Sequence, residues 1–164
     1  MEERKQEGNL LIYSLGTSQR SWEEFIQILE RYSLKQIIDV RSFPVSKRYP
    51  HFSKENLSRG LREEGRVYFW LGKELGGYRR GGYEAYTKTE AFKRGLEELI
   101  LLAQKAPSVI ICAERFPWRC HRRFIAKALE EKGIEVIHII DLDRLWRPKK
   151  RDQGFMFPLS QTDE

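Results

Sequence analysis

No stretch of this 164-residue chain approaches the ~20 consecutive apolar residues of a membrane helix, so a helical span is excluded. The opening Met1-Glu2-Glu3-Arg4-Lys5-Gln6-Glu7 holds no apolar segment; no secretory leader is expected, and the expected location is cytoplasmic. Cysteine is scarce. Two residues, Cys112 and Cys120, cannot build a disulfide framework, and in a cytoplasmic chain they read as thiols. Internal repeats, low-complexity linkers, a Gly-x-Gly-x-x-Gly or Walker loop and the closely spaced cysteine pair of a zinc site are all absent. No cofactor and no metal are expected on those grounds.

Charge, by contrast, is abundant. Charged residues make up 33% of the chain beside 40% hydrophobic ones, the balance of a globular domain with a heavily charged surface. The net charge of +6 favours anionic partners. Residues 41–80 carry ten Lys or Arg against four Glu, a surplus equal to that of the whole chain. Composition alone leaves two sources open, a phosphate-binding surface or the charge-rich surface common in thermophiles.

The apolar pattern divides the chain into alternating strands and helices. Leu10–Leu15 reads as a buried strand with Gly16-Thr17-Ser18 as its exit turn. Ser21 is placed to cap a helix carrying Trp22, Phe25, Ile26, Ile28 and Leu29 at helical spacing. A strand over 36–40 leads to Arg41. Ser53 is expected to cap a helix over 54–64 closed by Gly65, and a strand is expected over 66–70. Residues 71–82, with five glycines, read as a loop. Thr89 caps an amphipathic helix bearing Phe92, Leu96, Leu99, Ile100 and Ala103. A strand over 109–112 follows, then a helix over 118–131 with Pro117 at its first position, then a strand over 135–140.

This order predicts a three-layer αβα fold with a mostly parallel, Rossmann-like sheet. The expected organisation is a flexible start at 1–8, one α/β domain over 9–147 and a loosely held basic tail over 148–164. Within the domain, 42–88 forms a basic excursion rich in Gly, Arg and Tyr. In such sheets ligands bind beyond the carboxyl ends of the strands. Three segments should meet there: Thr17 and Ser18, Asp39 with Arg41, and the run from Cys112 to Arg122.

That run, Cys112-Ala113-Glu114-Arg115-Phe116-Pro117-Trp118-Arg119-Cys120-His121-Arg122, concentrates reactive chemistry. Helical phase aims Cys120 and His121 towards the sheet. A thiol near a helix N-terminus with arginines beside it favours its thiolate, as a nucleophile requires. The same N–H groups and arginines suit a bound anion. A buried thiol pair with one hydrogen-bonded histidine is the purely structural alternative. Asp39 and Arg41, two apart on a strand, share a face and serve either as a substrate-orienting pair or as an ion pair fixing the turn. The loop from Leu75 to Tyr83 interleaves aromatics, arginines and glycines, and suits base stacking, a lid or a plain connection.

Taken together, Gly16-Thr17-Ser18, Asp39-Val40-Arg41 with Pro44 and Ser46, Leu75-Gly76-Gly77 with Arg79, and Cys112-x-Glu114 with Cys120-His121-Arg122 resemble the family catalogued as domain of unknown function 488. The resemblance runs from about residue 9 to residue 142. It implies a compact αβα fold and one composite site, and no reaction type. The family commonly has a histidine after the glycine of its first motif, where this chain has Thr17.

The candidate catalytic residues are Cys120, His121, Glu114 and Asp39; the candidate ligand-binding residues are Thr17, Ser18, Arg41, Arg79, Cys112 and Arg122. The expected partner is an anionic ligand of nucleotide or nucleic-acid type, not a membrane. Three functions stay open at this point. They are an enzyme acting on such a ligand, a nucleic-acid-binding module using the basic middle segment, and a small-ligand or interaction domain whose Cys-His-Arg cluster is structural.

Overall fold

The computed structural model describes residues 10–148. The expected flexible start at 1–8, and the expected tail apart from Pro148, lie outside the described residues. In chain order the elements are β1 (Leu11–Gly16), α1 (Trp22–Arg31), β2 (Gln36–Asp39), α2 (Lys54–Glu63), β3 (Val67–Trp70), α3 (Gly72–Leu75), α4 (Tyr83–Tyr86), α5 (Glu90–Ala103), β4 (Ser108–Cys112), α6 (Arg122–Glu130), β5 (Glu135–Asp141) and β6 (Arg144–Trp146). The six strands form one sheet in the order β3-β2-β4-β1-β5-β6. The first five are parallel, and β6 returns antiparallel along β5.

β2 and β4 are buried throughout, because helices cover both faces of the sheet. On one face Val109 and Ile111 pack with Phe25, Leu29, Leu57 and Leu61 of α1 and α2. On the other, Ile110 and Cys112 pack with Leu96 and Leu99 of α5 and Ile125 and Leu129 of α6. The three-layer α/β expectation is met. β6 was not foreseen, since its three residues Arg144, Leu145 and Trp146 carry no periodic signal.

Local chemistry explains most element boundaries. Ser21 and Glu24 form a reciprocal capping box at α1, with bonds of 3.0 and 2.8 Å. Thr89 Oγ1 accepts from Phe92 N at 3.2 Å and starts α5. Ser53 precedes α2 as expected but makes no side-chain cap. Its hydroxyl instead accepts from Ser46 N at 2.9 Å and donates to Ser46 O at 3.1 Å, which pins the loop that follows β2.

Two stretches depart from expectation. The glycine-rich 71–82 segment is not wholly irregular, because buried Leu75 draws its start into the single turn α3, and a second single turn, α4, follows it at buried Tyr83. The expected continuous helix over 118–131 is split. Pro117–Arg119 form a 3₁₀ turn, Cys120 is extended at φ −142° and ψ 176°, and α6 begins only at Arg122. The inward contacts of the Cys120 sulfur hold that break open.

The sheet order places the carboxyl ends of β1, β2 and β4 side by side. Gly16 makes that junction close, since a Cβ there would lie 1.9 Å from Glu114 O. We expect Gly16→Ala to destabilise the fold by about 1–3 kcal/mol, the usual range for forced overpacking. The urea midpoint checks this; a midpoint at the wild-type value contradicts the close packing of the two strand exits.

Candidate active site

β1 and β4 leave the sheet together. Thr17 N donates to Cys112 O at 2.8 Å and Ser18 N to Ala113 O at 2.9 Å, which zips the two exit turns into one edge. Both amides are therefore committed to backbone and are not available to an anion. Thr17, Ser18 and Glu114 still line a cleft of about 960 Å³ over this edge, together with Arg41, Cys112, Cys120 and His121.

Arg122 is the centre of the cluster, and it is fully buried. Its Nε donates towards Cys112 Sγ at 3.1 Å and Cys120 Sγ at 3.3 Å. Nη1 donates to Ser14 Oγ at 2.9 Å, and Nη2 to Glu114 O at 2.5 Å and Arg115 O at 3.4 Å. All three nitrogens face protein groups, so this residue, expected to hold a ligand, holds the two sulfurs instead and does not line the cleft.

The two sulfurs lie 3.2 Å apart, inside van der Waals contact and within reach of an S–H···S bond. The Arg122 backbone N–H also points at Cys120 Sγ, which favours Cys120 as the acceptor and Cys112 as the donor. That S–H···S bond is the largest cause holding the Cys120 thiol far below its ordinary value. His121, the Arg122 charge and the Arg122 backbone N–H, 3.3 Å from Cys120 Sγ, add to it against the opposing effect of burial. The N-terminus of α6 favours the anion for the same reason. Cys112 is pushed the other way by that same bond and then by burial. One proton is thus shared between the pair, and the titration belongs to both.

A second tier steadies the arginine. Ser14 Oγ, which accepts from Arg122, lies 2.5 Å from His138 Nδ1; the hydroxyl donates and the ring nitrogen accepts. Burial, and then the Arg122 charge, push the His138 pKa down to about 3, so its ring stays neutral. The indole of Trp146 packs on His138 at 5.5 Å and on Trp118 of the cleft rim at 4.9 Å.

The remaining expected residues divide. His121 Nε2 donates to Val40 O at 2.8 Å, leaving Nδ1 as the basic nitrogen, and its ring sits against Gly77, where a Cβ would come within 2.8 Å of Nδ1. Glu114 Oε2 accepts from Phe116 N at 3.1 Å. Asp39 is wholly buried and engaged. It takes Arg41 Nε and Nη2 at 2.9 and 2.8 Å and Tyr68 OH at 2.6 Å, the arrangement of an ion pair that fixes the turn. Arg79 is directed away from the cleft: it donates to Gly76 O and Lys73 O behind α3 and lies 3.9 Å over the Tyr86 ring.

Cys112, Cys120 and His121 bring three donor atoms within 4.8 Å of one another. The cation that faces both sulfurs is the Arg122 guanidinium, so thiol chemistry describes the cluster.

Residues that sequence reasoning passed over complete the picture. Ser14 and His138 were each legible as a polar residue set between apolar neighbours in a strand, Tyr13 and Leu15 for one, Ile137 and Ile139 for the other. On the rim, Phe43 and Tyr78 are 69% and 77% exposed and pack together at 5.5 Å between ring centres. Arg119 and Arg123 are exposed there as well, and neither pairs with a carboxylate among the described residues.

Fold and site define an α/β protein with a thiol–arginine cluster at the carboxyl edge of a mostly parallel sheet. The model of the family described as "Domain of unknown function DUF488" matches residues 21–129, and the chain belongs to that family. The matched segment contains Cys112, Cys120 and Arg122, whereas Ser14 and His138 lie outside it. No curated protein matches the chain, and no solved structure does. Among the described residues no helix is long and apolar enough to cross a membrane.

The neutral His138 has a pH consequence. A histidine whose folded pKa is depressed contributes stability that is present above its unfolded value and lost as pH falls through the folded one. That window runs from about 6.5 down to about 3. Thermal midpoints of the wild type should fall more steeply with acid across this window than those of His138→Gln. Parallel curves would count against a buried neutral imidazole.

Proposed function

We propose that the protein is a thiol-dependent enzyme that acts on an anionic, nucleotide-bearing substrate, with Cys120 as nucleophile. One observation carries the reading. The sulfur best stabilised as an anion opens on a large cleft, while the buried cation that stabilises it is shielded from the ligand. A nucleophile needs its charged form at working pH, and a thiolate beside an arginine and a helix N-terminus has it.

The rim supports the substrate class. Arg119 and Arg123 can neutralise phosphate. The exposed Phe43 and Tyr78 rings offer a stacking surface for a base. Glu114 and His121, whose ring also bonds Cys120, are the groups at the edge able to move a proton. Asp39 acts at one remove, by orienting Arg41.

The rim alone would equally serve a binding module without chemistry, and two measurements separate the readings. Iodoacetamide should alkylate Cys120 far faster than Cys112, still rapidly at pH about 6, where an ordinary thiol of pKa about 8.5 is almost wholly protonated. Inorganic phosphate or a nucleotide should slow it. Equal and sluggish labelling of both cysteines would remove the nucleophile. Replacing both Arg119 and Arg123 by Gln should weaken binding of a single-stranded oligonucleotide and flatten its dependence on log salt by about 1.4, roughly 0.7 per lost phosphate contact. No binding by the wild type at low salt would remove the nucleic-acid substrate.

A further inference from the structure

We infer that Cys112 and Cys120 form a redox-active dithiol that reduces organic disulfides carrying anionic groups, with Cys120 attacking and Cys112 resolving. The inference rests on Cys120 being the nucleophile proposed above. It gives the second thiol a covalent task beyond its hydrogen bond to Cys120.

Placement decides the roles. Cys112 ends β4 and is 3% exposed, so an incoming disulfide reaches Cys120 first. Cys120 lies in the extended link between the 3₁₀ turn and α6, where a small dihedral change moves its sulfur without displacing either element. The sulfurs start 3.2 Å apart, and a disulfide of about 2.05 Å needs little more than 1 Å of approach. Across the cleft rim, Arg119 and Arg123 favour a substrate with carboxylate or phosphate groups.

The steps balance. The Cys120 thiolate attacks one sulfur of the substrate R–S–S–R; a Cys120–sulfur bond forms, the substrate S–S bond breaks and the first thiolate leaves. Cys120 then no longer carries charge, so the Cys112 S–H loses its anionic acceptor while Arg122 Nε remains 3.1 Å from the Cys112 sulfur. The Cys112 proton passes to the departing thiolate. The new Cys112 thiolate attacks Cys120 Sγ, closes the Cys112–Cys120 disulfide and releases the second R–S⁻. Two electrons pass from the protein to the substrate, and an external dithiol restores the reduced pair. Arg122 serves as a positioning residue that transfers its stabilisation from one sulfur to the other.

The test uses the full chain, reduced and freed of reductant, with glutathione disulfide as the probe. Both free thiols should disappear, released glutathione should reach two per chain, and peptide mapping should find Cys112 joined to Cys120 within one chain. Cys112→Ser should stop at one glutathione held on Cys120, and Cys120→Ser should not react. The wild-type peptide map needs no variant, so a misfolded Cys112→Ser leaves the result intact. A persistent mixed disulfide on wild-type Cys120 overturns the resolving role and leaves the nucleophile standing. Failure of Cys120 to react with both glutathione disulfide and iodoacetamide overturns both. Neutral hydroxyethyl disulfide should react at least tenfold more slowly than glutathione disulfide, and equal rates would overturn the anionic substrate class.

Discussion

The carboxyl edge of this sheet is organised by a single buried charge. Taking a guanidinium out of water costs several kcal/mol unless its donors and its charge are met inside the protein. Arg122 is met on every side: by Ser14 from β1, by two main-chain oxygens of the turn after β4, and by two sulfurs. The loop from Ala113 to Arg119 has to curl so that its carbonyls point inwards. The exit of β1 has to lie against Glu114, which only a residue without a side chain permits at Gly16. The break before α6 follows as well, because Cys120 must turn its sulfur in while the helix runs out.

The counter-charge is unusual in kind. A carboxylate would have compensated the arginine and remained inert; here a pair of thiols sharing one proton does so. The group that satisfies the interior is also the group with chemical reach. His138 fits the same electrostatic logic: its ring stays neutral and accepts a hydrogen bond, so no second cation crowds the arginine.

The layers, the parallel sheet and the convergence of three segments at one edge were legible because they rest on apolar periodicity and topology. Cys112 and Cys120 were legible as a cluster. What the linear chain hides is direction. Nothing in Arg122 or Arg79 distinguishes a guanidinium turned inward, or folded back behind a short helix, from one offered to a ligand. Asp39 and Arg41 were correctly seen as sharing a face, yet their full engagement depends on Tyr68 from a neighbouring strand. Trp118, Trp146 and His138 come together only because β6 turns back along β5, and three residues are too few to show a period.

The partners of Arg122 also bear on how the chain folds. Ser14 and Arg122 are 108 residues apart in sequence, and Ser14 and His138 are 124 apart. Contacts of such range form late, after the entropy of closing long loops has been met. β1 must be inserted between β4 and β5 before the guanidinium finds its hydroxyl. Until then that donor lacks its partner, whereas both sulfurs lie within ten residues of Arg122 in sequence. The groups that acidify Cys120 thus come from one short run of chain, and the long-range closure of the sheet serves to bury and fix them.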